Sequence, residues 1–153
     1  MRFYGATRSE PGKAVNDDAF ACLGDLAILL DGAGHAQGAA KRCVDFLVAR
    51  LEVTPDMPPS ELLGIANQFF LGANQESTLL ALQVQGSTLL TAVSCGDSPL
   101  YLVREGRVEQ VNETTKPRLG NPRPGIKHLA FPLRASDVVI GASDGFLWVV
   151  TSC

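Results

Sequence analysis

Five residues without a polar side-chain atom, Leu26-Ala27-Ile28-Leu29-Leu30, run straight into Asp31-Gly32-Ala33-Gly34. An apolar run of this length without alternation reads as a buried strand. Its abrupt end on an acid followed by glycine marks a sharp change of chain direction. With 153 residues the chain has one domain's worth of material and is long enough to bury a real core around such a strand.

The rest of the chain supplies the partners. Residues 2–6 read as a short strand, and a polar loop with the turn Pro11-Gly12 follows. Ala19 to Cys22 precedes the buried run across the Gly24-Asp25 turn. From His35 the period changes: Ala36, Ala39, Ala40, Cys43, Leu47 and Leu51 fall on one face of a helix. Pro55 and Pro58-Pro59 close it, and Ser60 is the expected N-cap of a second helix carrying Leu62, Leu63, Ala66, Phe69, Phe70 and Ala73. Strands are then expected at Thr78 to Val84, Leu89 to Cys95, Leu100 to Arg104, Arg107 to Val111, Lys127 to Pro132 and Val138 to Ala142. Glu105-Gly106 is a hairpin signal, and 112–125 reads as a loop. Strands, two helices, then many antiparallel strands make an α+β layout, two sheets packed together with helices outside.

Composition excludes several functions. The net charge is −3 and no basic run occurs, which argues against nucleic acid as a partner. No stretch approaches the roughly 20 consecutive apolar residues of a membrane span. The first residues, Met1 to Gly5, lack the apolar segment of a secretory signal, so the expectation is a cytoplasmic protein. Cys22, Cys43, Cys95 and Cys153 are widely spaced and read as free thiols, and two histidines are too few for a His-rich metal site.

The acids carry the chemistry. Asp31 and Asp144 each follow an apolar strand, Asp97 follows a third, and Asp17 and Asp18 precede a fourth. Carboxylates gathered at strand ends repel one another, and a hard divalent cation resolves the conflict: Mg²⁺ and Mn²⁺ prefer carboxylate, carbonyl and water oxygens. Two such ions about 3.5–4 Å apart can share a carboxylate and activate a water toward phosphorus. Taken singly, each Asp-Gly is also an ordinary turn.

Four segments in order, Asn16-Asp17-Asp18-Ala19-Phe20, Leu30-Asp31-Gly32-Ala33-Gly34, Cys95-Gly96-Asp97-Ser98-Pro99-Leu100-Tyr101 and Ala142-Ser143-Asp144-Gly145-Phe146, resemble successive motifs of the metal-dependent protein phosphatases of type 2C. Ser77-Thr78 falls where that family carries a Gly-Ser/Thr-Thr strand, and the spacing is similar to that of its compact bacterial members. The resemblance implies a four-layer sandwich, two antiparallel sheets with a helix pair on each outer face. It implies hydrolysis of phosphoserine and phosphothreonine in proteins by two Mg²⁺ or Mn²⁺ ions, the substrate being a phosphoprotein made by a serine/threonine kinase. By position, Asp31 would bridge the metals and the Gly32 carbonyl would ligate one. Asp17 would reach metal directly or through water, Asp18 would support it, Asp144 would ligate the other metal, and Asp97 would belong to a weak third position.

This chain departs from the family pattern in four places. Lys13 stands where the family usually has an arginine that clamps the substrate phosphate, and lysine lacks the bidentate fork. Arg8 is a possible substitute. Asp17 replaces a Glu, which favours a water bridge. Trp148 replaces a second Asp beyond Asp144, which leaves the third metal position in doubt. The family's last Asp-Asn motif has no counterpart before Cys153, so a single domain over 1–153 is expected to be incomplete at its C-terminus, with the apolar run Phe146 to Val150 seeking a partner. These departures motivate a second reading, a catalytically impaired phosphatase-like domain that binds a phosphoprotein or another partner. A sandwich whose aspartates are all turns is a third reading. His35 and His128 read as helix-start and surface residues. Ser98 and Thr78 lack the His-Asp partners of a hydroxyl nucleophile, and Gly32-Ala33-Gly34 fits no phosphate-cradling loop spacing.

Overall fold

The computed structural model describes residues 3–7, 16–33, 38–86 and 88–143. The strands are β1 (Asp18–Leu23), β2 (Leu26–Ala33), β3 (Glu76–Ser77), β4 (Leu79–Gln85), β5 (Leu89–Cys95), β6 (Leu100–Arg104), β7 (Arg107–Gln110), β8 (Ile126–Pro132) and β9 (Val138–Gly141). Two helices, α1 (Ala39–Val53) and α2 (Pro59–Ala73), fall between β2 and β3. One antiparallel sheet has the order β1-β2-β4-β5-β8, with β3 paired to the end of β2; a second has the order β7-β6-β9.

Alternation along the central strands sorts side chains into two cores. Leu26, Ile28 and Leu30 of β2 and Leu79 and Ala81 of β4 join Ala40, Cys43, Leu47, Leu62, Ala66 and Phe70 of the helices. Leu80, Leu82 and Val84 of β4 point the other way and meet Leu100 and Leu102 of β6, with Ala27 and Leu29 of β2 packed against them. The layers among the described residues are therefore helix pair, larger sheet, smaller sheet. These are two antiparallel sheets and one helix pair, as the sequence resemblance leads one to expect; a second helix pair is not among the described residues. The buried run Leu26 to Leu30 is apolar on both faces because each face meets a core.

Several local expectations need correction. Residues 3–7 form no strand; Phe3 packs on the core between the sheets and Tyr4 is 85% exposed, so this segment has no ladder to join. Ser60 does not cap α2. Pro58, extended at φ −73°, holds that position, its carbonyl accepts from the Glu61 and Leu62 amides, and Pro59 is the first helical residue. Proline's fixed φ and missing N–H suit it to that place. The strand expected over Thr78 to Val84 is β4, which begins one residue later at Leu79, because Thr78 turns its amide and hydroxyl to Asp31. The hairpin at Glu105-Gly106 has the expected turn, with φ of 51° and 74°.

Candidate metal centre

The apolar run does not end the strand. β2 continues through Asp31, which stands directly opposite Asp18 in the ladder with β1. Facing residues of an antiparallel pair have Cα atoms roughly 4.5–5.5 Å apart, and their side chains leave the sheet on one face. Ala27 and Leu29 of β2 line the core between the sheets, so period two aims Asp31, and Asp18 opposite it, to that same side. Like charges placed opposite each other oppose pairing. Two facing carboxylates therefore end the ladder at the rim of the inter-sheet layer.

Asp17 is brought in by a turn. The Asn16 side-chain oxygen accepts from the Asp18 amide at 3.1 Å, and the Asp17 carbonyl accepts from the Gly32 amide at 3.1 Å. Gly32 is required by this approach: a Cβ there would stand 2.7 Å from the Asp17 carbonyl oxygen. The Asp17 carboxylate oxygen Oδ1 is buried and has no hydrogen-bond partner. A buried anionic oxygen without a donor is costly. Asp18 is better served, since its Oδ2 accepts from the Ser143 hydroxyl at 2.8 Å.

The Asp31 backbone is fixed from a third side. Its carbonyl accepts from the Thr78 amide at 3.0 Å and from the Ser77 hydroxyl at 2.8 Å, and its amide donates to the Thr78 hydroxyl at 3.3 Å. The Thr78 and Ser98 hydroxyls lie 2.5 Å apart and are both buried. They act as struts, which agrees with the absence of a nucleophile pattern around them. Asp97, next to Ser98, follows Gly96, whose φ of +99° and contact with Thr78 exclude a side chain. The Asp97 carboxylate accepts from Arg118 Nη2 at 2.6 Å.

Asp17, Asp18, Asp31 and Gly32 are thus brought together, and Asp97 is tied to the same frame through Ser98 and Thr78. Lys13, Arg8, His35 and Asp144 lie outside the described residues, as do Trp148 and the run Phe146 to Val150. Among the described residues no three His, Cys, Asp or Glu side chains form a metal-holding group. The donors present nevertheless fit a hard cation: every one is oxygen, and Asp17 Oδ1 is a buried acceptor with nothing to accept from. The thiols do not compete. Burial pushes Cys43 up to about 12 and Cys95 up to about 11, and raises Cys22. His128 is exposed on β8, as expected.

Two participants escaped the sequence reading. Arg118 sits in a loop whose composition announces only turns, and nothing in its spacing ties it to Asp97. Ser143 lies inside a quoted motif, but its bond to Asp18 joins residues 125 positions apart.

Helix pair, paired sheets and an acid-lined rim define the fold class as that of the type 2C metal-dependent phosphatases. The sequence model of the stage II sporulation protein E (SpoIIE) family matches residues 25–147, and the chain belongs to that family. Among solved structures it is similar to the PPM Ser-Thr phosphatase MsPP from Mycobacterium smegmatis in complex with cacodylate: 24% identity, TM-score 0.72, covering 92% of this chain and 76% of that one. It is also similar to the PP2C phosphatase domain, with a fragment of the regulatory domain, of SpoIIE from Bacillus subtilis, at 19% identity and TM-score 0.73, covering 95% and 48%. A third is the catalytic domain of the serine threonine protein phosphatase PstP with two manganese ions, at 19% identity and TM-score 0.67, covering 100% and 83%. No curated protein sequence matches the chain. Among the described residues no helix is long and apolar enough to cross a membrane.

Proposed function

We propose that the chain is a metal-dependent phosphatase acting on phosphoserine and phosphothreonine of a protein substrate. The observation that carries this reading is the buried, unpartnered Asp17 Oδ1 beside the facing pair Asp18 and Asp31. Family membership and the two manganese ions of the PstP structure support it. Asp31, the Gly32 carbonyl, Asp17 and Asp144 would hold two Mg²⁺ or Mn²⁺ ions. When bound, the ions would offset the carboxylate repulsion, polarise the phosphate and acidify a water.

The chain's own residues then have separable tasks. Ser77 and Thr78 hold the Asp31 backbone from two sides, and Ser143 orients Asp18. Gly32 lets the chain pass close to Asp17. Lys13 would contribute positive charge toward the substrate phosphate. Asp97 is paired with Arg118, so a third ion there would have to compete with the guanidinium and would be held weakly.

The test is Asp31→Asn, assayed with p-nitrophenyl phosphate and Mn²⁺. Hydrolysis is expected to vanish while the circular dichroism spectrum stays that of the wild type; surviving hydrolysis refutes the mechanism. The second reading, a phosphoprotein-binding domain without turnover, draws on Lys13 and Trp148, which stand where the family has a clamping arginine and a second aspartate. Calorimetric titration with Mn²⁺ separates the two: two tight sites favour the enzyme, and none or one weak site favours the binding domain.

A further inference from the structure

We infer that Arg118 is the side chain with which this protein grips the phosphate group of its substrate, and that Asp97 positions it. The inference rests on the reading of the site as one that receives phosphorylated protein.

The loop between β7 and β8 is pinned at the acid rim on both sides of Arg118. Leu119, its neighbour, exchanges backbone hydrogen bonds with Ser77 at 3.0 and 3.3 Å, and Ser77 donates its hydroxyl to the Asp31 carbonyl. Upstream, the Thr115 amide donates to the Gly96 carbonyl and the Gly96 amide donates to the Thr115 hydroxyl, both at 2.9 Å. Arg118 and Asp97 therefore hang from the same scaffold that holds Asp31, and their 2.6 Å ion pair closes it. The Arg118 side chain is 29% exposed and Asp97 33%, so the guanidinium is held yet reaches solvent.

Orientation supplies the need: the proposed ions would offset the rim carboxylates, but a substrate phosphate also wants a directional donor, and Arg118 is tied to the scaffold that holds Asp31. A guanidinium matches phosphate oxygens in shape as well as sign, which an ammonium such as Lys13 does not. Holding it in advance by an ion pair lowers the ordering cost of engaging the ligand. An ion pair serving stability alone would gain little at such exposure.

The test uses the 153-residue chain with Mn²⁺ and a fluorescein-labelled peptide carrying a phosphonate in place of the phosphate ester. Anisotropy gives the affinity against the unmodified peptide, and p-nitrophenyl phosphate reports turnover separately. Arg118→Met is expected to weaken phosphonate-peptide binding roughly tenfold. Arg118→Lys should restore part of the loss. Asp97→Asn should give an intermediate loss with the melting temperature little changed. Unchanged phosphonate affinity in Arg118→Met overturns the inference, as does equal weakening for the unmodified peptide or a Lys variant no better than Met. A wild-type chain that hydrolyses no p-nitrophenyl phosphate but loses peptide affinity in Arg118→Met refutes the phosphatase reading and leaves the Arg118 assignment standing.

Discussion

The Ser143 hydroxyl donates to Asp18 Oδ2 at 2.8 Å, tying the end of the described chain to the start of β1. The bond fixes one carboxylate of a pair whose partner, Asp31, is already fixed by Ser77 and Thr78. Ser143→Ala should leave the fold intact and free the Asp18 side chain to rotate. One hydrogen bond of about 1 kcal/mol corresponds to roughly a fivefold loss of Mn²⁺ affinity, measurable by calorimetry. Unaltered affinity would show that this bond plays no part in shaping the ion site.

Gly32 is a packing requirement more than a flexible joint. Gly32→Ala places a methyl 2.7 Å from the Asp17 carbonyl, against backbone that has little room to retreat. Overpacking of this kind costs on the order of 1–3 kcal/mol. Urea denaturation should report that loss, and Mn²⁺ binding should fall further than stability alone explains, because Asp17 is the residue displaced.

Asn67, buried in α2, brackets the loop that carries Arg118. Its Nδ2 donates to the Asn121 carbonyl at 3.1 Å, and its Oδ1 accepts from the Gly120 amide at 2.8 Å. Asn67→Ala strands both backbone groups, and a loss of about 2–4 kcal/mol is expected in chemical denaturation. Asn67→Asp would set a buried carboxylate oxygen against the Asn121 carbonyl, so it should lose at least as much. A loss under about 1 kcal/mol in Asn67→Ala would show that the bracket contributes little.

Acid sensitivity should trace in part to Asp137. Bonds from Arg104 and from the Arg134 amide hold its carboxyl down at about 2, below its ordinary 3.8. A depressed folded value means that the stabilisation is complete above about pH 4 and is lost as pH falls toward 2. Wild type should therefore exceed Asp137→Asn in stability by a constant margin above pH 4. That margin should shrink between pH 4 and 2. Melting temperatures across this window decide it; a margin independent of pH removes the role.

What was legible in the sequence follows periodicity. Alternation and apolar runs located β1, β2, β5, β6 and both helices, because burial leaves its mark on every second or every third to fourth residue. The acids at strand ends were legible for a related reason: a charge after a buried run is conspicuous. Backbone competition was not. Nothing in Thr78 announces that its amide and hydroxyl serve Asp31 just before β4 begins. Nothing in Ser60 reveals that Pro58 and Pro59 have already started the helix. Pairs across long chain separations were also invisible. Arg118 finds Asp97, and Ser143 finds Asp18, only after β5, β8 and β9 have set their neighbours in register.

β4 presents Leu79 and Ala81 to the helices and Leu80, Leu82 and Val84 to the smaller sheet. Like β2, this strand is thus a common wall of both hydrophobic layers. Neither layer can be solvated while the other persists, since unzipping β4 opens both at once. Unfolding of the described body is accordingly expected to be a single cooperative event, seen as coincident transitions by different probes.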